Sequence, residues 1–156
     1  MEKMIAFSEG NIHDITHLSC VWTYAKTIGE LEGLDAETQF ILEAAAITHD
    51  IACPLCRKKY GNTNGSYQEQ EGDPLVRAFL ADTGMTAAQI DRVAYLVGHH
   101  HSPEQIDGID CQILIEADYI VNASASGYSQ QAIRSFTEHT MKTAAGIRLT
   151  KTVFGV

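Results

Sequence analysis

Three features of this chain predict an all-α fold. Apolar residues recur at helical spacing over long stretches, the second such stretch is apolar around nearly its whole circumference, and no series of alternating residues marks a set of strands. The 156 residues suit one domain, spanning 1–156, with a single core and no need of disulfide staples.

The elements follow in chain order. Ile15, Leu18, Val21, Trp22, Ala25, Ile28 and Leu31 place an amphipathic helix over about Ile12 to Glu32, ended by Gly33. Asp35 can cap a second helix, in which Phe40, Ile41, Ala44, Ala45, Ile47 and Ile51 leave little polar surface, so it is expected to be buried on most sides. From Ala52 to Asp73 the periodicity fails. Pro54 and the run "GNTNGS" (Gly61 to Ser66) are turn chemistry, which predicts a long loop of the functional kind. Pro74, at a first helical position, then opens a short helix through Ala81 that Gly84 closes. Thr86 and Gln89 form a capping box for a helix from about Ala87 to His100, with Ile90, Val93, Ala94 and Val97 on one face. "HSPEQIDGID" reads as a loop. A helix from about Cys111 to Ala123 contains "ILIEADYIVNA", and a last one runs from Ser129 to about Ala145, stopped by Gly146.

Composition narrows the function. A formal charge of −9 argues against a nucleic-acid polymer as partner, because such binding rests on many Lys and Arg contacts to phosphates. A small phosphate compound remains compatible if a metal or a local basic cluster supplies the positive field. Arg57, Lys58 and Lys59 hold three of the eleven basic residues and form such a cluster, to be weighed against a merely solvated loop. No export signal is seen and no window approaches the roughly 18 apolar residues of a membrane span, so the chain reads as soluble and cytoplasmic. The four cysteines are then expected as reduced thiols. Cys53-Pro-Leu-Cys56 resembles a redox C-x-x-C but lacks the strands of that setting, and as a zinc pair it would need His13 and His17 to complete it; free thiols on a loop is the reading taken.

The chemistry centres on "AAAITHDIACPLC", Ala44 to Cys56, where a histidine and an aspartate end the most apolar helix of the chain. Successive helical residues point about 100° apart, so His49 and Asp50 do not share a face, yet both reach an object lying beside the helix between them. A divalent cation is such an object. It also explains the burial, since an unpaired buried carboxylate is costly and coordination neutralises it. His17 lies on or beside the apolar face of the first helix, and Asp118 lies among Ile113, Leu114, Ala117 and Val121, so both are expected to point inward for reasons other than packing. Two imidazoles and two carboxylates suit a hard-to-borderline cation with positions left open for water.

This order, His17, then His49-Asp50 on a buried helix, then Asp118 in "EADYI", resembles the HD-domain superfamily of metal-dependent phosphohydrolases over about His13 to Val121. The resemblance implies a bundle of five or six helices around a buried metal site, with His17, His49, Asp50 and Asp118 as ligands of a divalent ion (Mn, Fe, Co, Ni, Mg or Zn), one rather than two. It also implies a further histidine from "VGHHHSPEQ" at the site, binding phosphate or a second metal. Helical facing lets only one or two of the three point inward: His100, three residues after Val97, is the first choice and His99 the second, and the third histidine, His101, is expected in solvent. The chain departs from the common pattern: Ala52 replaces the glycine frequent after H-D-I, and the lysine usual beyond it is displaced to Arg57 or Lys58. Where two-metal members carry another histidine, only Glu69, Glu71 and Asp73 are present; a second metal would draw on His99, His100 and Glu71.

The expected activity is hydrolysis of a phosphate ester of a nucleotide or another small phosphorylated metabolite. A bound cation would hold a phosphoryl oxygen and acidify the attacking water. Asp50 and a histidine of the 99–101 run, His100 or His99, would move protons, and Arg57, Lys58 and His100 would hold substrate. Two alternatives stand beside this: a catalytically silent sensor of a nucleotide or metal, and a dinuclear iron enzyme acting on dinucleoside polyphosphates. No membrane partner is expected, and a homodimer is a possible assembly.

Overall fold

A computed structural model describes residues 1–156. The chain forms nine α-helices: α1 (Glu2–Phe7), α2 (Ile12–Glu32), α3 (Ala36–Thr48), α4 (Cys53–Tyr60), α5 (Gly65–Leu80), α6 (Ala87–Val97), α7 (Ile109–Ala125), α8 (Gln130–His139) and α9 (Ala144–Phe154), with a single 3-10 turn at Pro103–Gln105 and no strand. Five of them make the central bundle. α3 packs against α2, α6 and α7, α2 lies along α7, and α5 lies along α6. The other four helices are short additions around this bundle, which is why nine are present where five or six were expected.

Local chemistry sets most boundaries. The Asn11 side chain accepts the Asp14 N–H at 3.2 Å and starts α2, while Gly33 ends it in the left-handed region at φ +74°. Asp35 accepts the Glu37 and Thr38 N–H groups at 3.0 Å each and starts α3. Ala45 and Ala46 are fully buried there, and such small side chains let three helices approach α3 at once. The Thr86–Gln89 capping box of α6 is present, but the helix stops at Val97, so His99, His100 and His101 lie in the turn that follows.

Two departures from the sequence reading have clear causes. Residues 52–73 are not a loop. Pro54 occupies the first turn of α4, where its missing N–H costs nothing, so a proline taken as a breaker is a helix starter. α5 begins at Gly65, with Pro74 in its interior instead of at its start; its first half shows no apolar stripe because the buried residue there is Gln68. Gly72 permits the contact with α6, since a Cβ at that position would lie 2.8 Å from Val97 Cγ1. α1 was not foreseen; it buries Met4 and sets Phe7 edge-on to Phe79, with ring centroids 5.5 Å apart.

The second departure is at the C-terminal end. Instead of one helix from Ser129 to Ala145, the chain breaks after α8 and restarts at Thr143, whose hydroxyl accepts the Gly146 N–H at 3.0 Å. The break is held by Glu116 of α7, which is fully buried. Its carboxyl accepts the Lys142 N–H at 2.7 Å, the Thr143 N–H at 3.0 Å, the Gln112 Nε2 at 2.7 Å and the Thr143 hydroxyl. Gly146 is therefore no helix stop. A Cβ there would lie 2.0 Å from Glu116 Oε2, so the residue is small because α9 presses against a buried carboxyl group.

Candidate metal centre

The polar residues gathered at one end of the bundle core come from two of its helices and two turns. His17 projects from α2, His49 and Asp50 occupy the turn after α3, His100 and His101 the turn after α6, and Asp118 projects from α7. His49 and His100 are buried, with side chains fully covered.

The backbone sets which nitrogen of each ring faces inward. His49 Nδ1 lies 2.9 Å from the Ala46 carbonyl and His100 Nδ1 lies 2.8 Å from the Val97 carbonyl. A carbonyl only accepts, so both Nδ1 atoms carry a proton and donate it, and each Nε2 faces the centre, where it can hold either a proton or, in its place, a cation. The Nε2 atoms of His17 and His49 are 3.1 Å apart. Asp118 Oδ1 lies 3.2 Å from His17 Nε2 and 3.4 Å from His49 Nε2, and Asp50 Oδ2 lies 3.4 Å from His17 Nε2. Asn122 holds Asp118 in place through a 2.9 Å hydrogen bond to Oδ1.

These separations fit a coordination shell. Ligand atoms about 2.1 Å from one cation are about 3.0 Å apart at octahedral angles and about 3.4 Å apart at tetrahedral ones. His17, His49 and Asp50 form one group of donor atoms that could hold a metal ion, and Asp50, His100 and His101 form another, with Asp50 common to both. His100 Nε2 adds a further sign: it is buried, has no hydrogen-bond partner, and lies 3.6 Å from Asp50 Oδ1.

Charge in the cluster is tightly linked. Burial lowers the His49 pKa, but the Asp50 and Asp118 charges outweigh it and raise it to about 9. Burial also pushes Asp50 upward, but His49 and then His100 hold it well below the usual carboxylate range. Asp118 is likewise kept low, its burial outweighed by hydrogen bonds from His17 and His49. Burial, then the neighbouring His100, pushes His101 down to about 4, so near neutral pH it is an uncharged ring able to donate a lone pair.

The cluster opens into a polar recess of about 290 Å³, lined by His13, Asp14, His17, Asp50, Cys53, Arg57, Thr63, Gln68, His101, Asp118, Asn122 and Tyr128. Arg57 stands in its wall and is paired with Asp14. His13, His17 and Asn122 also border a more apolar groove of about 710 Å³ between α2 and α7, which Tyr24, Ile120 and Val121 help to line.

Several residues singled out from the sequence lie elsewhere. His99 is not with the cluster: its Nδ1 donates to the Tyr95 carbonyl at 2.7 Å and its ring stacks on Tyr95, whereas His101, although exposed as a residue, brings a ring nitrogen to the edge of the cluster beside Asp50 and His100. Glu71 accepts from Tyr60 Oη at 2.6 Å and from Lys59 Nζ at 2.7 Å and belongs to no candidate metal group. Lys58 is exposed and does not line the recess. Cys53 and Cys56 are free thiols, but they are buried in α4 and not on a loop. The Cys53 thiol donates to Gln68 Oε1 at 3.2 Å, and burial, then Asp50, pushes its pKa well above the ordinary thiol value, so it stays protonated and neither redox nor zinc chemistry is supported.

Two residues support the site in roles the sequence did not show. Glu69 accepts the His101 N–H at 3.1 Å and the Ser102 hydroxyl at 2.9 Å, fixing the histidine turn from α5. Gly65 lies against the His101 ring, where a Cβ would be 2.7 Å from Cγ. Their signal is purely tertiary, because the sequence shows no helix across residues 65–73.

A family model described as HD domain matches residues 14–123, a span that includes His17, His49, Asp50, His100, His101 and Asp118. Comparison with curated proteins and with solved structures gives no match.

Proposed function

The chain belongs to the HD domain family, and from that membership we propose that it is a metal-dependent phosphohydrolase that cleaves a phosphate ester of a nucleotide or another small phosphorylated metabolite. The observation that carries this reading is the convergence of the His17 and His49 Nε2 atoms, 3.1 Å apart, on carboxylate oxygens of Asp50 and Asp118. Two imidazole nitrogens and two carboxylates facing one another inside a protein call for positive charge between them, which protons supply in part and a divalent cation supplies in full. A divalent ion bound there would supply a Lewis acid for a phosphoryl oxygen and lower the pKa of a water.

The side chains supply the remaining functions. His17, His49, Asp50 and Asp118 would hold the cation. Asp50 has a second oxygen within 3.6 Å of His100 Nε2, so it can orient the attacking water and accept its proton. As water attacks phosphorus, the bond from phosphorus to the ester oxygen breaks, and that oxygen takes up the proton that Asp50 accepts from the water, passed on through His100 Nε2, 3.6 Å from Asp50 Oδ1. Arg57 in the recess wall pairs with a phosphate oxygen, and the groove between α2 and α7 takes the organic part.

One observation favours a second cation: Asp50 is common to both donor groups, so His100 and His101 together with Asp50 would hold it. Metal counting on protein purified without added metal, followed by assay of that protein against mononucleotides, dinucleoside polyphosphates and sugar phosphates, tests the whole reading. About one or two ions per chain together with release of inorganic phosphate supports it. Metal without turnover on any substrate turns the chain into a sensor, and absence of metal binding removes the centre altogether.

A further inference from the structure

Arg57 is the only Lys or Arg lining the polar recess, yet its guanidinium is already engaged. Both nitrogens of its fork face Asp14: Nη1 lies 3.3 Å from Oδ1, and Nη2 contacts Oδ2. Asp14 sits in the first turn of α2, its backbone N–H tied to Asn11, so the carboxylate is delivered to the recess from a fixed point. The Asp14 side chain is 13% exposed and that of Arg57 is 42% exposed, so the pair lies at the mouth, with its acidic half inside. The other basic group near Asp14 is His13, whose Nδ1 is 3.6 Å away and whose side chain is 86% exposed. A planar guanidinium satisfies one bidentate anion at a time, so a phosphate can use Arg57 fully only by displacing Asp14.

We propose that Asp14 is a competitive latch on Arg57, holding the guanidinium until phosphate enters and taking it back from the product phosphate. The inference rests on the phosphohydrolase reading and deepens it. A tethered carboxylate competes at a high effective concentration whatever the substrate concentration. It therefore weakens ground-state binding of substrate and speeds departure of product, whereas a residue that merely braced α2 against α4 would do neither. Asp14 is a positioning residue here, acting on substrate through Arg57.

The test uses metal-loaded protein and inorganic phosphate, with binding measured by calorimetry in wild type, Asp14→Asn, Arg57→Ala and the double variant, each checked for metal content. Asp14→Asn should bind phosphate about fivefold more tightly, as expected for release of a partly exposed ion pair. Product inhibition should strengthen by the same factor and KM should fall, with no rise in kcat. On the Arg57→Ala background, Asp14→Asn should have no such effect. Wild-type affinity in Asp14→Asn overturns the latch, as does tightening that persists without Arg57, since Asp14 would then repel phosphate directly. Loss of metal in both Asp14→Asn and Asp14→Ser overturns it too, by making Asp14 part of the cation's binding set. Failure of all four proteins to bind phosphate overturns the phosphohydrolase reading itself, and the latch with it.

Discussion

Asp118→Asn separates a metal centre from a polar core. Asparagine keeps the shape of the side chain and an oxygen able to accept from Asn122, His17 and His49, at the places where Asp118 Oδ1 now lies 2.9, 3.2 and 3.4 Å from its partners. What it loses is the charge. A cation at a thousand times its dissociation constant adds about 4 kcal/mol to the stability of the protein that binds it. For a chain of 156 residues each kcal/mol moves the melting temperature by about 2–4 °C, so loading the wild type should raise its melting point by about 8–16 °C over the chelated form. If the substitution weakens binding about a hundredfold, about 2.7 kcal/mol of that is lost, and the metal-induced rise shrinks by about 5–11 °C. Differential scanning calorimetry of both proteins, each with excess Mn²⁺ and with chelator, measures the two rises independently of any cost the substitution imposes on the metal-free fold. Equal rises in the two proteins would refute a role for Asp118 as ligand, and no rise in the wild type would refute the centre.

Three further expectations can be checked directly. Asp50→Asn should cost at least about a hundredfold in turnover on whichever phosphate ester the wild type cleaves, even when excess Mn²⁺ restores occupancy; full rescue by metal would leave Asp50 a ligand and nothing more. Gly146→Ala should lower stability by about 3 kcal/mol, because its Cβ would meet Glu116 Oε2 at 2.0 Å and Thr143 Oγ1 at 2.6 Å; an unchanged denaturant midpoint would show that α9 can yield. Glu43 is held below its ordinary value of 4.5, its burial outweighed by hydrogen bonds from Gln39, Trp22 and Lys26. The unfolded chain then binds the extra proton first as acid is added, so this stability is present above the ordinary value and disappears as pH falls through the folded one. Thermal melts between about pH 2 and 6 should accordingly show a shallower acid limb for Glu43→Gln, and an identical limb would remove Glu43 from the acid response.

The parts of the fold that were legible are those where local signals agree with tertiary packing. Asp35 and Thr86 cap the helices they begin, and the apolar periodicities of α2, α3, α6 and α7 face the core. His17, His49, Asp50 and Asp118 stood out because packing gave no reason for polar groups in apolar stretches. The rest was hidden for physical reasons. α5 carries a buried glutamine and an internal proline, so its local sequence argues against the helix its neighbours enforce. Between His99 and His101 the decision came from the end of α6 at Val97, since a helix running on to residue 100 would have turned the three rings differently. Arg57 was visible as charge, whereas its engagement by Asp14, separated by 43 positions in the chain, was not.

Glu116 gives the C-terminal helices a bearing on the metal centre. Two residues before Asp118, its buried carboxyl group draws its backbone donors from Lys142 and Thr143, which lie beyond the matched span of 14–123. A fragment cut at residue 123 would keep every candidate ligand and lose those two N–H groups and the Thr143 hydroxyl, leaving an acid inside α7 with Gln112 as its remaining partner. Stripping the partners from a buried charge costs about 3–5 kcal/mol, enough to twist or expose the helix that presents Asp118. The last turns of the chain thus act as a ballast for the ligand helix, and the smallest working unit is longer than the stretch that carries the family's recognisable residues.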